Sequence, residues 1–203
     1  MSEMRLDISK NTYEESEALF KVIIFGEGGV GKTTLIRRYL EGYFEESIKM
    51  TIGVDFFMKH ITIKDVRVSL QIWDFAGEER FRFLLPDYVS GASGGIFMYD
   101  ITRQSTLNRT HEWMTIFKRE YARKKNDEVL PVIVLGGKID REEDRSVDHA
   151  YAKQRLSDFN CLDFMECSSK TGENVEDAFI ALTRHLIERM DAALMIKQIF
   201  FII

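Results

Sequence analysis

Cysteine and proline are scarce in this chain: each occurs twice in 203 residues. Cys161 and Cys167 share one apolar stretch rather than the spacing of a disulfide framework, which excludes a stapled secreted scaffold and points to a reducing compartment. Pro86 and Pro131 stand alone, and no Pro-rich or Gly/Ser-rich tract breaks the pattern, so no interdomain linker is found and the length favours one domain. Long hydrophobic runs are missing too, since none approaches the ~20 residues that a spanning helix needs. The first stretch carries Glu3, Asp7, Glu14, Glu15 and Glu17 and lacks the basic-then-apolar order of a secretory signal. Nor is there an excess of positive charge: 28 Lys and Arg stand against 33 Asp and Glu, a net charge of −5 that argues against nucleic acid as a partner. Together these absences read as a soluble, cytoplasmic protein.

What is present is 45% hydrophobic and 30% charged residues, enough apolar material for a full core. Short runs rich in Val, Ile and Phe alternate with segments of helical period, the pattern of an α/β domain on a largely parallel sheet. Strands are predicted at Ala18–Phe25, Val54–Ile63, Val66–Trp73, Gly94–Tyr99, Leu130–Leu135 and Leu162–Glu166. Lys64-Asp65 is short enough for a hairpin, so one strand pair is antiparallel. Helices are expected at Lys32–Leu40, Ser105–Lys124, Val147–Phe159 and from Asn174 onward. The predicted fold is a three-layer α/β sandwich, a six-stranded, mostly parallel sheet with one antiparallel strand and helices on both faces. Residues 1–18 read as an acidic extension, 19–190 as the domain, and 191–203 as a helical extension with an apolar tail.

Directly after the first strand stand Gly26, Glu27, Gly28, Gly29, Val30, Gly31, Lys32 and Thr33, with Thr34 next, matching G-x-x-x-x-G-K-[ST] at a strand-to-helix turn. Glycines let the backbone wrap a phosphate chain, Lys32 offers a cation to the β- and γ-phosphates, and the Thr33 hydroxyl suits Mg²⁺. The architecture is thus that of a P-loop NTPase.

Four further stretches follow in order: Thr51-Ile52-Gly53-Val54-Asp55-Phe56, Trp73 to Phe81, Lys138-Ile139-Asp140 and Glu166-Cys167-Ser168-Ser169-Lys170. With the P-loop they make the sequence resemble the Ras superfamily of small GTPases, the Rab branch in particular, over about Leu19 to Met190. The resemblance implies a switch that binds GTP and GDP with Mg²⁺ and hydrolyses GTP slowly. It places Thr33, Thr51 and Asp74 around the metal and Gly77 at the γ-phosphate. Thr51 would join the metal only while that phosphate is present, so hydrolysis releases both switch loops.

Two positions depart from the family's pattern. Glu78 stands where the family carries its water-orienting glutamine. A carboxylate only accepts, so it either acts as a stronger base or is repelled from the phosphate, and it reads equally as a switch residue paired with Arg80 or Arg82. The catalytic set is then Glu78, Gly77, Thr51 and Lys32. Gly137 replaces the asparagine of N-K-x-D, which predicts a looser pocket. Guanine is still read by Asp140, flanked by Lys138, Ser168, Ser169, Lys170 and Phe44. Gly28 leaves room for an incoming arginine finger.

Ile52, Phe56, Trp73 and Tyr88 match the Rab effector surface, with core packing an equal reading for Trp73. The implied partners are an exchange factor, a GTPase-activating protein and effectors. The tail Ile199 to Ile203 follows no cysteine after Cys167, so a prenyl anchor is not expected here. Its sparse positive charge favours docking on protein over insertion in lipid, although a peripheral membrane location stays open. Two rival readings remain: a GTP-binding scaffold that does not hydrolyse, motivated by Glu78 and Gly137, and a P-loop kinase or ATPase, against which Asp140 and Ser168-Ser169-Lys170 argue.

Overall fold

In β1 (Ala18–Gly26), Val22 and Ile24 face one side of the sheet and Ile23 and Phe25 the other, and all four are fully buried. A strand with both faces apolar needs other elements packed above and below it, which in a parallel sheet are helices. The computed structural model describes residues 16–46, 49–122 and 130–200. The acidic extension up to residue 15 and tail residues Phe201, Ile202 and Ile203 lie outside the described residues, as do the side chains of Ile199 and Phe200.

The sheet continues with β2 (Val54–Ile63), β3 (Val66–Phe75), β4 (Gly94–Asp100), β5 (Leu130–Gly137) and β6 (Cys161–Cys167), in the spatial order β2-β3-β1-β4-β5-β6. Only the β2–β3 pair is antiparallel among these described strands. Every predicted strand is present, each within two residues of its expected ends. Both residues of the Lys64-Asp65 turn have positive φ, 48° and 66°, the conformation a two-residue hairpin with native twist demands.

Among the described residues six α-helices cover the sheet: α1 (Lys32–Glu41), α2 (Leu85–Val89), α3 (Gln104–Asn108), α4 (Thr110–Ala122), α5 (His149–Leu156) and α6 (Val175–Phe200). α1 and α6 share one core with Ile24, where Tyr39 stacks on Phe179 at 3.9 Å. α2, α4 and α5 share the other, where Phe25 stacks on Phe117 at 4.8 Å. Burying each such side chain contributes roughly 1.5–3 kcal/mol.

The helix expected at Ser105–Lys124 is broken at Arg109 into α3 and α4, and residues 123–124 lie outside the described residues. The Thr106 hydroxyl donates to the Arg103 carbonyl and accepts from Asp100 N–H, pinning α3 to the end of β4. The helix expected from Val147 begins at His149, because the Asp148 carboxylate caps it by accepting from Tyr151 N–H at 2.8 Å. α2 and the 3₁₀ turn Glu79–Leu84 before it were not predicted: five and six residues are too short to show helical periodicity. α6 runs unbroken past residue 190 to Phe200.

β1, β3, β4, β5 and β6 run parallel, so their carboxyl ends gather along one edge, and β1 leads to neighbours on opposite sides. A crevice at such a reversal is where open α/β sheets bind ligands. Replacing Lys64-Asp65 by Asn-Gly is expected to stabilise the fold by about 1 kcal/mol, because left-handed backbone is costly for lysine. The exposed Lys64–Glu188 pair that it removes is worth little. A higher urea midpoint at unchanged slope checks this, and an unchanged midpoint contradicts it.

Candidate nucleotide-binding site

The loop after β1 turns on Gly26, where any side chain would clash. Gly26 has φ 136°, and a Cβ there would lie 2.2 Å from the Met98 carbonyl oxygen. Lys32 opens α1 and folds back under the loop, its Nζ donating to the carbonyls of Gly26 at 2.9 Å and Glu27 at 2.8 Å. The side chain is only 6% exposed. Burial lowers its pKa from the ordinary 10.5 to about 8, opposed by the negative charges of Asp74 and Glu27 and assisted by Arg103.

One residue on, Thr33 Oγ1 donates to Asp74 Oδ2 at 2.5 Å and lies 2.8 Å from Thr51 Oγ1. Thr51 Oγ1 also donates to Asp74 Oδ2, at 3.1 Å. Three oxygens from the P-loop helix, the loop before β2 and the end of β3 thus meet at one point. Asp74 is fully buried, and burial raises its pKa although bonds from Thr33 and Thr51 and the charge of Lys32 oppose it. Its Oδ1 is buried with no hydrogen-bond partner. Two hydroxyls beside a half-engaged carboxylate fit a small hard cation that keeps part of its shell from water and phosphate. Among the described residues no cluster of three His, Cys, Asp or Glu side chains could hold a metal by itself.

Gly77 packs against the P-loop so closely that a Cβ would lie 2.3 Å from Glu27 C and Gly28 N. Glu78 follows on the rim of the cleft and takes Arg80, at 2.9 Å between Oε2 and Nε, as its partner. Arg82 turns elsewhere. Its guanidinium lies 4.7 Å over the Trp113 ring, pairs with Glu112 and donates to Glu27 Oε1 at 3.0 Å, which also accepts from Trp113 Nε1 at 2.7 Å.

The cleft has a volume of about 640 Å³. Residues 28–34, Phe44, Thr51, Gly77, Glu78, Gly137, Lys138, Asp140, Ser169 and Lys170 line it. Gly26, Glu27, Asp74 and Ser168 stand behind that wall. Ser168 Oγ donates to Asp140 Oδ1 at 2.6 Å and accepts from the Lys170 and Thr171 N–H groups, which aims Asp140 and fixes the loop after β6. Glu45, Glu46, Lys49, Met50, Met98, Arg141 and Glu143 also line the cleft and escaped sequence reading. For residues between Phe44 and Thr51 the one available signal was their place between two assigned positions.

On the outer face Phe56, Trp73 and Tyr88 form one aromatic row, with ring centroids 5.1 and 5.4 Å apart. Phe56 is 47% and Ile52 76% exposed, whereas Trp73 is half-buried with Lys21 Nζ 4.9 Å from its ring centroid.

A mostly parallel sheet, a glycine-rich loop and a hydroxyl–carboxylate cluster at the strand ends define a P-loop nucleotide-binding domain. The chain belongs to the Ras family of small GTPases, whose family model matches residues 21–188. It is 37% identical to the Ras-related protein Rab-4A of Danio rerio over 179 residues, 88% of this chain and 81% of that protein. It is 38% identical to the GTP-binding protein ypt1 of Schizosaccharomyces pombe over 176 residues, 87% and 84% of the two chains. The Ras-related protein Rab-7a of Paramecium octaurelia is 37% identical over 165 residues, 81% of this chain and 80% of its own.

Lys32→Met is expected to weaken Mg²⁺-nucleotide binding by roughly a hundredfold or more, through loss of a charged donor to phosphate. It also removes a stability cost with a defined pH dependence. The folded-state pKa of Lys32 lies below the unfolded one, so the cost of burying its charge is fully present below pH 8 and fades between about 8 and 10.5. Urea unfolding of the nucleotide-free proteins at several pH values is expected to show the difference, variant minus wild type, falling across that window. A difference flat with pH contradicts it.

Proposed function

We propose that this small GTPase works as a Rab-like switch: it binds GTP or GDP with Mg²⁺, hydrolyses GTP slowly, and reports the bound nucleotide through the loops that carry Thr51 and Gly77. The observation that supports this most is the contact of Thr51 with both Thr33 and Asp74. A loop whose hydroxyl joins the phosphate-site threonine and a buried carboxylate changes position when the occupant of that site changes.

Thr33, Asp74 and Thr51 would hold the metal, which neutralises charge on the β- and γ-phosphate oxygens when bound. Lys32 meets the same phosphates as a cation, because an arriving anion raises its lowered pKa. Gly77 offers its N–H from a segment that rests directly on the P-loop. Asp140, aimed by Ser168, reads the two donors on the guanine edge. Glu78 lines the cleft next to Gly77 and, as a carboxylate, accepts from Arg80 where the family's glutamine could also donate. Family membership favours hydrolysis over a scaffold that only holds GTP.

Ile52, Phe56, Trp73 and Tyr88 form the surface we assign to effectors, and an exchange factor and an activating protein are the regulators such a switch requires. No helix among the described residues is long and apolar enough to cross a membrane. We place the protein in the cytoplasm, peripheral to membranes when a partner recruits it.

Asp140→Asn exchanges a two-site acceptor for an amide and is expected to shift preference from guanine to xanthine nucleotides by roughly two orders of magnitude. Competition of GTP against XTP for the variant tests the base assignment, and a persistent preference for GTP removes it. Glu78→Gln supplies a donor and takes charge away from the γ-phosphate, so the single-turnover rate is expected to rise by about threefold to tenfold at nearly constant affinity. Equal rates for the two proteins would show that this side chain does not touch the attacking water.

A further inference from the structure

The P-loop is gripped from its base side by a charge cluster centred on Asp100, a carboxylate with no exposed surface at the carboxyl end of β4. Asp100 Oδ1 accepts from Thr102 N–H at 2.9 Å and from Thr102 Oγ1 at 2.7 Å. Asp100 Oδ2 accepts from Arg103 Nε at 2.9 Å and pairs with Lys138 Nζ at 2.8 Å. Burial alone would raise its pKa, yet bonds from Lys138 and Thr102 hold it below the ordinary value, so the group is a stable anion.

Each cation that Asp100 holds then donates to one carbonyl of the P-loop. Arg103 Nη2 donates to Gly28 O at 2.9 Å and Lys138 Nζ to Gly29 O at 3.0 Å. The next carbonyl, Val30 O, would lie 3.1 Å from a Cβ on Gly137, so the base loop rests on it through bare backbone. Three consecutive P-loop carbonyls are therefore met from the same side. Of these contacts, the one from Arg103 is made by a residue outside the cleft wall.

We propose that Arg103, held by Asp100, is a positioning residue that clamps the P-loop carbonyls outward so that the loop is preorganised for the β-phosphate, and that it thereby sets how long GDP stays bound. A planar guanidinium suits the task because Nε and Nη2 are donors fixed in one rigid fork, the first held by Asp100 and the second aimed at the Gly28 carbonyl. The guanidinium also lies against the loop, with Nη2 3.5 Å from where a Cβ on Gly29 would be. Its charge is one of those acting on buried Lys32, so it adds positive potential at the phosphate site. The inference rests on the reading of this cleft as a guanine-nucleotide site.

The test compares wild type, Arg103→Ala and Arg103→Lys by competition of GDP and of GMP, which lacks the β-phosphate, against a fluorescent GDP analogue at saturating Mg²⁺. For Arg103→Ala, GDP affinity is expected to fall and analogue release to quicken by about tenfold, the scale of one charged hydrogen bond. GMP affinity is expected to stay within about twofold, because the clamp acts on the part of the loop that GMP does not reach. Arg103→Lys is expected to fall between the two, nearer to alanine. Equal losses for GDP and GMP would make Arg103 a merely structural residue, and no loss of either would make the clamp idle; both overturn the proposal. A wild-type protein that binds no analogue would instead remove the underlying reading of the cleft.

Discussion

One buried carboxylate organises the phosphate end of this molecule. Asp74 closes β3 at a depth where its charge is costly, and its two oxygens are used unequally: Oδ2 takes Thr33 and Thr51, while Oδ1 has no partner. An anion buried with spare acceptor capacity is stabilised by a cation, and Lys32 supplies part of that through space. The rest would come from the cation that the proposed function brings in with the nucleotide. On that reading binding and folding would be linked at this point, since the same ligand would relieve the burial of Asp74 and give Lys32 phosphate oxygens to meet.

The strands were legible because each carries its own signal. Ile23 and Phe25 against Val22 and Ile24 show a strand buried on both faces, and Lys64-Asp65 between two apolar runs marks the one reversal of direction. Boundaries failed where the deciding contact was distant. The break between α3 and α4 depends on Thr106 bonding back to β4, and nothing within Gln104–Ala122 announces it. α2 was missed for a different reason, since five residues beginning near Pro86 carry too little pattern to separate from a loop.

The residues of the cleft were legible to the extent that their chemistry is local in sequence. Glycines, a lysine and a threonine at fixed spacing must form a phosphate loop if they form anything, whereas Glu27 gives no hint that its carboxylate turns outward to Arg82 and Trp113. Those partners are 55 and 86 residues away. Arg103 was invisible for the same reason: an arginine after a strand reads as a solvated charge until Asp100 and Gly28 are seen on either side of it. The pairing of Glu78 stood between Arg80 and Arg82, and Arg82 is drawn off by Glu27 and Glu112, leaving Arg80.

A glycine-rich loop is a poor scaffold by itself, because the freedom that lets it wrap a phosphate also raises the entropy lost on fixing it. Here that freedom is removed from outside. On the switch side, Glu27 is tied to Arg82 and Trp113. On the base side, Arg103 and Lys138 draw the Gly28 and Gly29 carbonyls toward Asp100. From below, Lys32 takes the carbonyls of Gly26 and Glu27. Carbonyls engaged on the outer side leave the opposite peptide edges for the ligand. The two ties also differ in kind. Asp100 and Lys138 belong to a strand end and the base loop, whereas Arg82 belongs to the 3₁₀ turn Glu79–Leu84 that follows Gly77. The base-side tie is therefore anchored on a buried carboxylate at the end of β4, whereas the switch-side tie joins the P-loop to Trp113 in α4 through Glu27.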